Sequence, residues 1–517
     1  MRLSFNTAGP CFPDEHYMLP PERRLGEVMQ LIEQHKYFTL TAGRQTGKTT
    51  CGMWIEAHLN KTGQWRALWV DIQEAREQPD PTKTFRTLLG KIDRVCRLVH
   101  PDIVLPDIEE LLRDPASAVD RYLAFLAGQD KRPWLFLFDE ADGLVGEAMV
   151  SFLTQLRNGY IGRRRSPFPA SVVLMGLRQV RDYALREEDR RALSWLGTLS
   201  PFNINAEPMT IGPFSQIEVG ELLEQHTKDM GQRFEPEAIA RIFDLGQGHP
   251  WITNALADQI VRRDVKDLSV AITAEHVDAA KETIILERRS HIDSLIARLR
   301  EERVRKIIDP MLAGEPLPDD VLHDDIAYLI GLGLVRAPKR GGSLEIANPI
   351  YREVIPRTLN YVKQISIDVA RPGHVKPDGS LDMGKLMADW QKFWRKDGHL
   401  AAEGFLYRES GPHLMLMAFL QRIINGDGRI EREYGLGRGA LDLLVYWKDE
   451  RHAIELKIRR SSETELDAFE QIARYLDGLG LSQGWLIMFD MRKRRWEKKL
   501  YQREVEHEGK TIRLVGC

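Results

Sequence analysis

Four short apolar runs, separated by stretches of helical periodicity, organise the first two hundred residues. Tyr37-Phe38-Thr39-Leu40-Thr41, Ala67-Leu68-Trp69-Val70-Asp71-Ile72, Trp134-Leu135-Phe136-Leu137-Phe138 and Ser171-Val172-Val173-Leu174-Met175-Gly176 are continuous rather than alternating. Such runs predict strands buried on both faces, as in a parallel sheet. Trp54, Ile55 and Leu59 follow the first run at helical spacing, segments near 82–99 and 107–127 follow the second, and a helix near Gly143 follows the third. Strand and helix in turn predict an α/β fold. Ahead of the first strand, Pro20-Pro21 marks a helix start before Leu25, Val28, Met29, Leu31 and Ile32. Helical segments then run to about residue 285. Further on, Val304, Ile307, Ile308, Met311 and Leu312 give one helix and 324–330 a second. Leu334-Val335-Arg336 and Leu344-Glu345-Ile346 read as two strands around Lys339-Arg340-Gly341-Gly342. That order resembles a winged helix.

Ala370 to Ser380 combines Pro, Gly and charge without periodicity, the composition of a linker. Beyond it, His413 to Leu420 is apolar nearly all round and predicts a buried helix. Gly439–Trp447 and His452–Ile458 predict a β-hairpin about a turn at Lys448-Asp449-Glu450-Arg451.

Composition narrows the class. The chain of 517 residues is too long for one core. It is 43% hydrophobic and 29% charged with a net charge of −3, which argues against coating by nucleic acid over the whole surface. Cys11, Cys51, Cys96 and Cys517 lie far apart with no CxxC pair, fitting free thiols in a reducing compartment. No apolar run reaches the ~20 residues of a membrane span, and no signal-peptide pattern opens the chain, so a cytoplasmic location without membrane contact is expected.

The chemistry begins directly after the first strand. Ala42-Gly43-Arg44-Gln45-Thr46-Gly47-Lys48-Thr49, followed by Thr50 and a helix, is a phosphate-binding loop with Ala42 at the first glycine position. Gly43 and Gly47 let the backbone curl so that N–H groups face a β-phosphate, and the helix dipole adds to them. Lys48 reaches the β/γ-phosphates and the Thr49 hydroxyl suits Mg2+. ATP with Mg2+ is therefore expected. The segment before the strand either shapes the base pocket or simply caps the core. The strand at Trp134 runs into Asp139-Glu140, at the end where such sheets bind ligands. Asp139 is expected to hold the Mg2+ hydration shell and Glu140 to polarise the attacking water. Arg178 and Arg181, just past the fourth strand, are candidate γ-phosphate sensors. Arg163-Arg164-Arg165 reads as a solvated loop or as a finger acting in trans. Gly246-Gln247-Gly248-His249-Pro250-Trp251 either presents His249 to the nucleotide or turns a helix corner.

Taken together, AGRQTGKTT, LFLFDEAD, the run ending in MGLR, SPFNI and GQGHPW resemble prokaryotic AAA-like and STAND-type ATPases over roughly residues 1–290. The resemblance implies a nucleotide-driven switch acting on a fused effector, with homo-oligomerisation a natural expectation. The expected recognition helix of the winged-helix-like module carries Asp319, Asp320, Asp324 and Asp325. These acids would repel phosphate, so coupling between proteins is the expected role there.

On the C-terminal hairpin, Asp442 lies on one strand and Glu455 and Lys457 share a face of the next. Two carboxylates and an ammonium suit metal-assisted phosphodiester hydrolysis, with Asp442 and Glu455 on Mg2+ or Mn2+ and Lys457 orienting water. These residues resemble the PD-(D/E)xK nuclease superfamily over roughly 386–500, with Leu441 where proline is common. Gln471-Ile472-Ala473-Arg474-Tyr475 is similar to the QxxxY helix of its RecB-like branch, which implies that Gln471 and Tyr475 line the active site. Glu409 is a candidate additional acid. Arg438, Arg459, Arg460 and Arg492-Lys493-Arg494-Arg495-Trp496 are candidate contacts to nucleic acid, DNA first among them, with Trp496 either stacking on a base or filling a hairpin core.

The expected organisation is α/β and multidomain: a P-loop core at 1–205, a helical lid at 206–290, a winged-helix-like module at 295–365, a linker at 366–385 and a restriction-endonuclease-like domain at 386–517. A nucleotide-switched scaffold that binds without cutting is the alternative. A DNA-translocating motor is disfavoured, because no helicase-like motif set follows the acidic strand.

Overall fold

A computed structural model describes residues 3–176, 209–287, 297–299, 301–313, 317, 321, 323–336, 344–359, 374–398, 412–413, 415–417, 419–420, 428–436, 439–459, 463–490, 492 and 494–517. They divide into two compact units, 1–291 with 326–337, and 292–325 with 338–517.

In the first unit, α1 (Gly26–Glu33) leads into β1 (Tyr37–Thr41) and α2 (Lys48–Thr62). There follow β2 (Arg66–Asp71), α3 (Pro81–Val99), α4 (Ile108–Leu111), α5 (Pro115–Ala127), β3 (Trp134–Asp139), α6 (Gly146–Gly162), β4 (Ser171–Gly176) and β5 (Met209–Thr210). The strands form a parallel sheet in the order β2-β3-β4-β1-β5. Alternate residues of each strand enter two cores. Trp134, Phe136 and Phe138 pack with Phe85, Leu88 and Tyr122 of α3 and α5, while Leu135 and Leu137 join Phe38, Leu40, Cys51 and Ile55 on the other face. Burial on both faces is why the strand sequences run apolar without alternation. The result is an α/β core around a five-stranded parallel sheet, with the C-terminal ends of β1, β3 and β4 along one edge. The expected helix over 107–127 is broken: α4 ends at Leu111, and α5 starts afresh with Asp114 at its cap and Pro115 in its first turn.

Four helices follow: α7 (Gln216–Met230), α8 (Pro236–Gly246), α9 (Pro250–Gln259) and α10 (Ala274–Leu286). A capping box between Ser215 and Glu218 starts α7. Further along the chain lie α11 (Glu302–Ala313), α12 (His323–Gly331), β6 (Val335–Arg336), β7 (Glu345–Ile346) and α13 (Pro349–Leu359).

The second unit holds α14 (Met383–Phe393), β8 (Gly428–Leu436), β9 (Gly439–Trp447), β10 (Glu450–Ile458), α15 (Glu463–Leu479), β11 (Gln483–Phe489), α16 (Trp496–Lys499), β12 (Tyr501–His507) and β13 (Lys510–Gly516). Its six strands run β12-β13-β11-β10-β9-β8, with β10, β11 and β13 mutually parallel and the outer pairs antiparallel. Helix α15 crosses between β10 and β11, burying Phe469, Ile472, Leu476 and Leu479 on the sheet.

Two expectations need correction. Glu450 pairs with Trp447, so the hairpin turn is only Lys448-Asp449, with Lys448 at φ 51, and Glu450 and Arg451 belong to the strand. The stretch expected as a linker is, over its described part, folded onto this unit. Val375 and Leu381 form a β-bridge, His374 is buried and bonds Asp389 at 3.0 Å, and α14 already begins at Met383. Pro377-Asp378-Gly379-Ser380 is a tight turn in which Asp378 Oδ1 accepts from the Ser380 backbone and hydroxyl. Turn and linker share the same residue types, and only the partners distinguish them.

Candidate functional site

The loop between β1 and α2 is a backbone concavity. Gln45 at φ 56 and Gly47 at φ 90 curl the chain so that α2 starts at Lys48. Alternating hands of backbone form an anion nest, and the start of α2 adds to it. Thr46 holds the curl by donating from Oγ1 to Gly43 O at 2.7 Å. Ala42 is buried and its N–H bonds Gly176 O, which anchors the loop to β4.

Lys48, Thr49, Asp139 and Glu140 come together. Thr49 Oγ1 donates to Asp139 Oδ2 at 2.8 Å, and Lys48 Nζ lies 3.2 Å from both Asp139 Oδ1 and Glu140 Oε1. Burial alone would depress the Lys48 ammonium. Asp139, Glu140 and Asp142 outweigh it, so its pKa stands above the ordinary lysine value. Glu140 sits at φ 58, directly after β3, and its partly exposed side chain is turned onto Lys48. A fully charged lysine between two acids beside a nest can be drawn to phosphate, and the Thr49 hydroxyl with Asp139 is a donor set that fits Mg2+.

Sequence reasoning missed Asp142 and most of what surrounds the loop. Cys11, Tyr17, Leu19, Arg24, Phe214, Pro250 and Asn254 line a small recess of about 60 Å3 against Thr46, Gly47, Thr50 and Cys51. Thr50 Oγ1 accepts from Cys11 N at 3.0 Å, fastening the N-terminal segment to α2. The N-terminal segment thus forms one wall of this recess. His249 belongs to the same neighbourhood. Its buried ring bonds the Arg44 backbone, and burial pulls its pKa down to about 4. The corner that holds it depends on Gly248 at φ 73, where an added Cβ would lie 1.9 Å from Phe214 O.

Arg178, Arg181, the SPFNI stretch, Glu409, Arg438, Arg460 and Lys493 lie outside the described residues. Arg163 is not a solvated residue: it donates to His35 O and Ala170 O and lies 3.9 Å from the Tyr160 ring. Arg164 and Arg165 are exposed.

In the second unit, Asp442, Glu455 and Lys457 converge. Asp442 Oδ2 accepts from Leu456 N at 2.7 Å, and Lys457 Nζ lies 2.9 Å from Glu455 Oε1. Glu455 is fully buried on the strand. Burial and then Asp442 push its pKa far above the glutamate range, against the opposing pull of Lys457. Burial lowers Lys457, but Glu455 and Asp442 raise it further, leaving it above the ordinary value. Gln471 Nε2 donates to Tyr475 Oη at 3.0 Å, and Tyr475 also acts on the Lys457 ammonium. All five proposed residues of this centre thus lie on β9, β10 and the crossing helix α15. No group of three or more His, Cys, Asp or Glu side chains forms a metal cluster among the described residues. The fit to a cation rests on the two carboxylates, Asp442 and the fully buried Glu455, a hard oxygen donor set that suits Mg2+ or Mn2+. Trp496 is half-exposed at the start of α16 rather than buried in a hairpin core, with Lys499 Nζ 5.2 Å from its ring.

No family model matches the chain, and no curated protein matches it. Among solved structures, 68% of the chain overlays 99% of a Walker-type ATPase of Pyrococcus abyssi, with 16% identity and a TM-score of 0.45. The same share overlays 94% of the ORC1 protein of Aeropyrum pernix in complex with DNA, at 13% identity and a TM-score of 0.35. It also overlays 95% of the RuvB Holliday junction branch migration motor of Thermotoga maritima, at 15% identity and a TM-score of 0.31.

Proposed function

We propose that the protein binds and hydrolyses ATP at the loop of residues 42–50, and that its nucleotide state controls a metal-dependent nuclease centred on Asp442, Glu455 and Lys457. The observation that carries the first half is the Lys48–Asp139–Glu140 cluster with Thr49 bonded to Asp139. In this reading the nest and Lys48 hold the β- and γ-phosphates, and Glu140 orients the attacking water. Thr49 and Asp139 hold Mg2+, which when bound neutralises phosphate charge. Arg178 is proposed as the sensor of the γ-phosphate.

The second half is carried by the convergence of Asp442, the fully buried Glu455 and Lys457 on the paired strands β9 and β10. Asp442 and Glu455 hold Mg2+ or Mn2+, which supplies Lewis-acid activation of the scissile phosphate. Lys457 positions water and offsets the charge that builds up on the phosphorus oxygens. Gln471 and Tyr475 fix the Lys457 side of the cleft. The exposed Arg494, Arg495 and Lys498 supply phosphate contacts to DNA. The helices of α7–α10 serve as a lid, the α11–α13 region as a winged-helix-like coupling module, and the assembly as a cytoplasmic homo-oligomer.

Cleavage of plasmid and single-stranded DNA is to be measured in Mg2+ or Mn2+, with and without ATP, for wild type, Lys48→Ala and Lys457→Ala. Cutting that Lys457→Ala abolishes, and that Lys48→Ala alters in its ATP response, is the expected result. DNA binding with no cutting under any metal or nucleotide condition would favour the scaffold reading.

A further inference from the structure

Two adjacent arginines precede α1 and have opposite surroundings. Arg23 is exposed and pairs with Glu221. Arg24 is partly buried, lines the recess beside the loop, and has no carboxylate within ion-pair reach among the described residues. Its partners are two backbone carbonyls and a ring: Nη1 donates to Thr46 O at 3.4 Å, Nη2 donates to Gly212 O, and the guanidinium lies 4.9 Å from the Phe214 centroid. It also borders the nest itself, since a Cβ on Gly47 would stand 3.7 Å from Nη1. Burial pulls its pKa down, against the opposing charges of Cys51 and Glu218.

A guanidinium that has lost much of its water and gained no counter-ion is unfavourable unless something else supplies the charge. It carries five donors in a planar fork that matches phosphate oxygens, and two carbonyls use only part of that capacity. We propose that Arg24 is a nucleotide-binding residue that pairs with the phosphate chain on the recess side of the loop. The inference rests on the reading of residues 42–50 as a nucleotide site and extends it to a cation that lies outside the loop motif. Because the same guanidinium reaches Gly212 and Phe214, at the entry to α7, its pairing with phosphate also exchanges those contacts.

The test uses the full chain with ADP, ATP and adenosine as probes, comparing wild type, Lys48→Ala, Arg24→Met and Arg24→Lys. Equilibrium binding and the thermal midpoint, with and without nucleotide, are the readouts. Arg24→Met is expected to weaken ADP and ATP roughly tenfold to a hundredfold, the range of a lost charged hydrogen bond. It should leave adenosine binding unchanged, and the nucleotide-free midpoint should be equal to wild type or higher. Arg24→Lys should recover part of the loss. Equal binding of ADP by Arg24→Met and wild type would overturn the proposal. So would a lowered nucleotide-free midpoint with equal losses for adenosine and ADP, the signature of a structural staple. If wild type itself binds none of the probes, the P-loop reading fails and this inference falls with it.

Discussion

Replacing Gly248 by alanine tests whether the α8–α9 corner positions His249 against the phosphate loop. Gly248 has φ 73, where any side chain costs about 1–2 kcal/mol. The new Cβ would stand 1.9 Å from Phe214 O, whereas ordinary contact begins at 3.4 Å, so one backbone must retreat by about 1.5 Å. That retreat breaks the Phe214 N–H to Gly248 O bond of 2.8 Å, worth about 1 kcal/mol net. The expected local cost is about 2–3 kcal/mol, before any loss of packing. Gly231 is the control: it has φ 76 at the end of α7 but open space around its Cβ, so Gly231→Ala bears the backbone term alone, about 1–2 kcal/mol. Urea-dependent hydrogen exchange on peptides from Pro236–Gln259, in the full chain, reads both variants. Nucleotide affinity measured alongside should fall for Gly248→Ala and hold for Gly231→Ala. If Gly248→Ala costs no more than Gly231→Ala and leaves nucleotide affinity unchanged, the corner does not set the loop.

Three further outcomes are expected from the geometry. Glu455→Gln keeps the shape of a carboxyl that the fold already favours in its protonated form, so thermal stability near pH 7 should stay within about 1 kcal/mol of wild type while metal-dependent cleavage is lost. His249 is held neutral in the folded state with a pKa of about 4. Stability is therefore fully present above its unfolded value near 6.5 and lost as pH falls towards 4, by up to about 3 kcal/mol, a slope that His249→Gln should flatten in pH-dependent unfolding. Arg494→Ala with Arg495→Ala should weaken DNA binding across sequences and reduce the slope of log affinity against log salt by roughly 2, measured with the Lys457→Ala background to prevent cutting.

What was legible in the sequence was what is local. The nest, Lys48 and Thr49 lie within one turn, and Asp139 and Glu140 end a strand whose apolar run is unmistakable. Asp442, Glu455 and Lys457 were readable because a hairpin brings them together and a period of two sets their faces. The recess was not legible. Arg24, Phe214 and Pro250 meet across some two hundred residues, and nothing in any one of these segments announces the others. The folded turn at Pro377–Ser380 was hidden for the opposite reason: its residue types say only that the chain bends, and burial of His374 against Asp389 is decided by tertiary partners. The break in the 107–127 helix was present in Asp114-Pro115 and was overridden by periodicity.

The strand order of the second unit also has a consequence for biosynthesis. β13 lies between β11 and β12 and hydrogen-bonds to both, yet it follows them in the chain. As the polypeptide is made, β8 to β11 and the residues Asp442, Glu455 and Lys457 all emerge while β11 still has one bare edge, and β12 has no partner at all until Lys510 onward arrives. Such exposed strand edges invite mispairing. The P-loop sheet, complete by Thr210, has all five of its strands at hand long before that. A newly made chain therefore has the sheet that carries the 42–50 loop ready to fold before the Asp442, Glu455 and Lys457 centre can close, so in the proposed scheme the switch would be built ahead of what it switches.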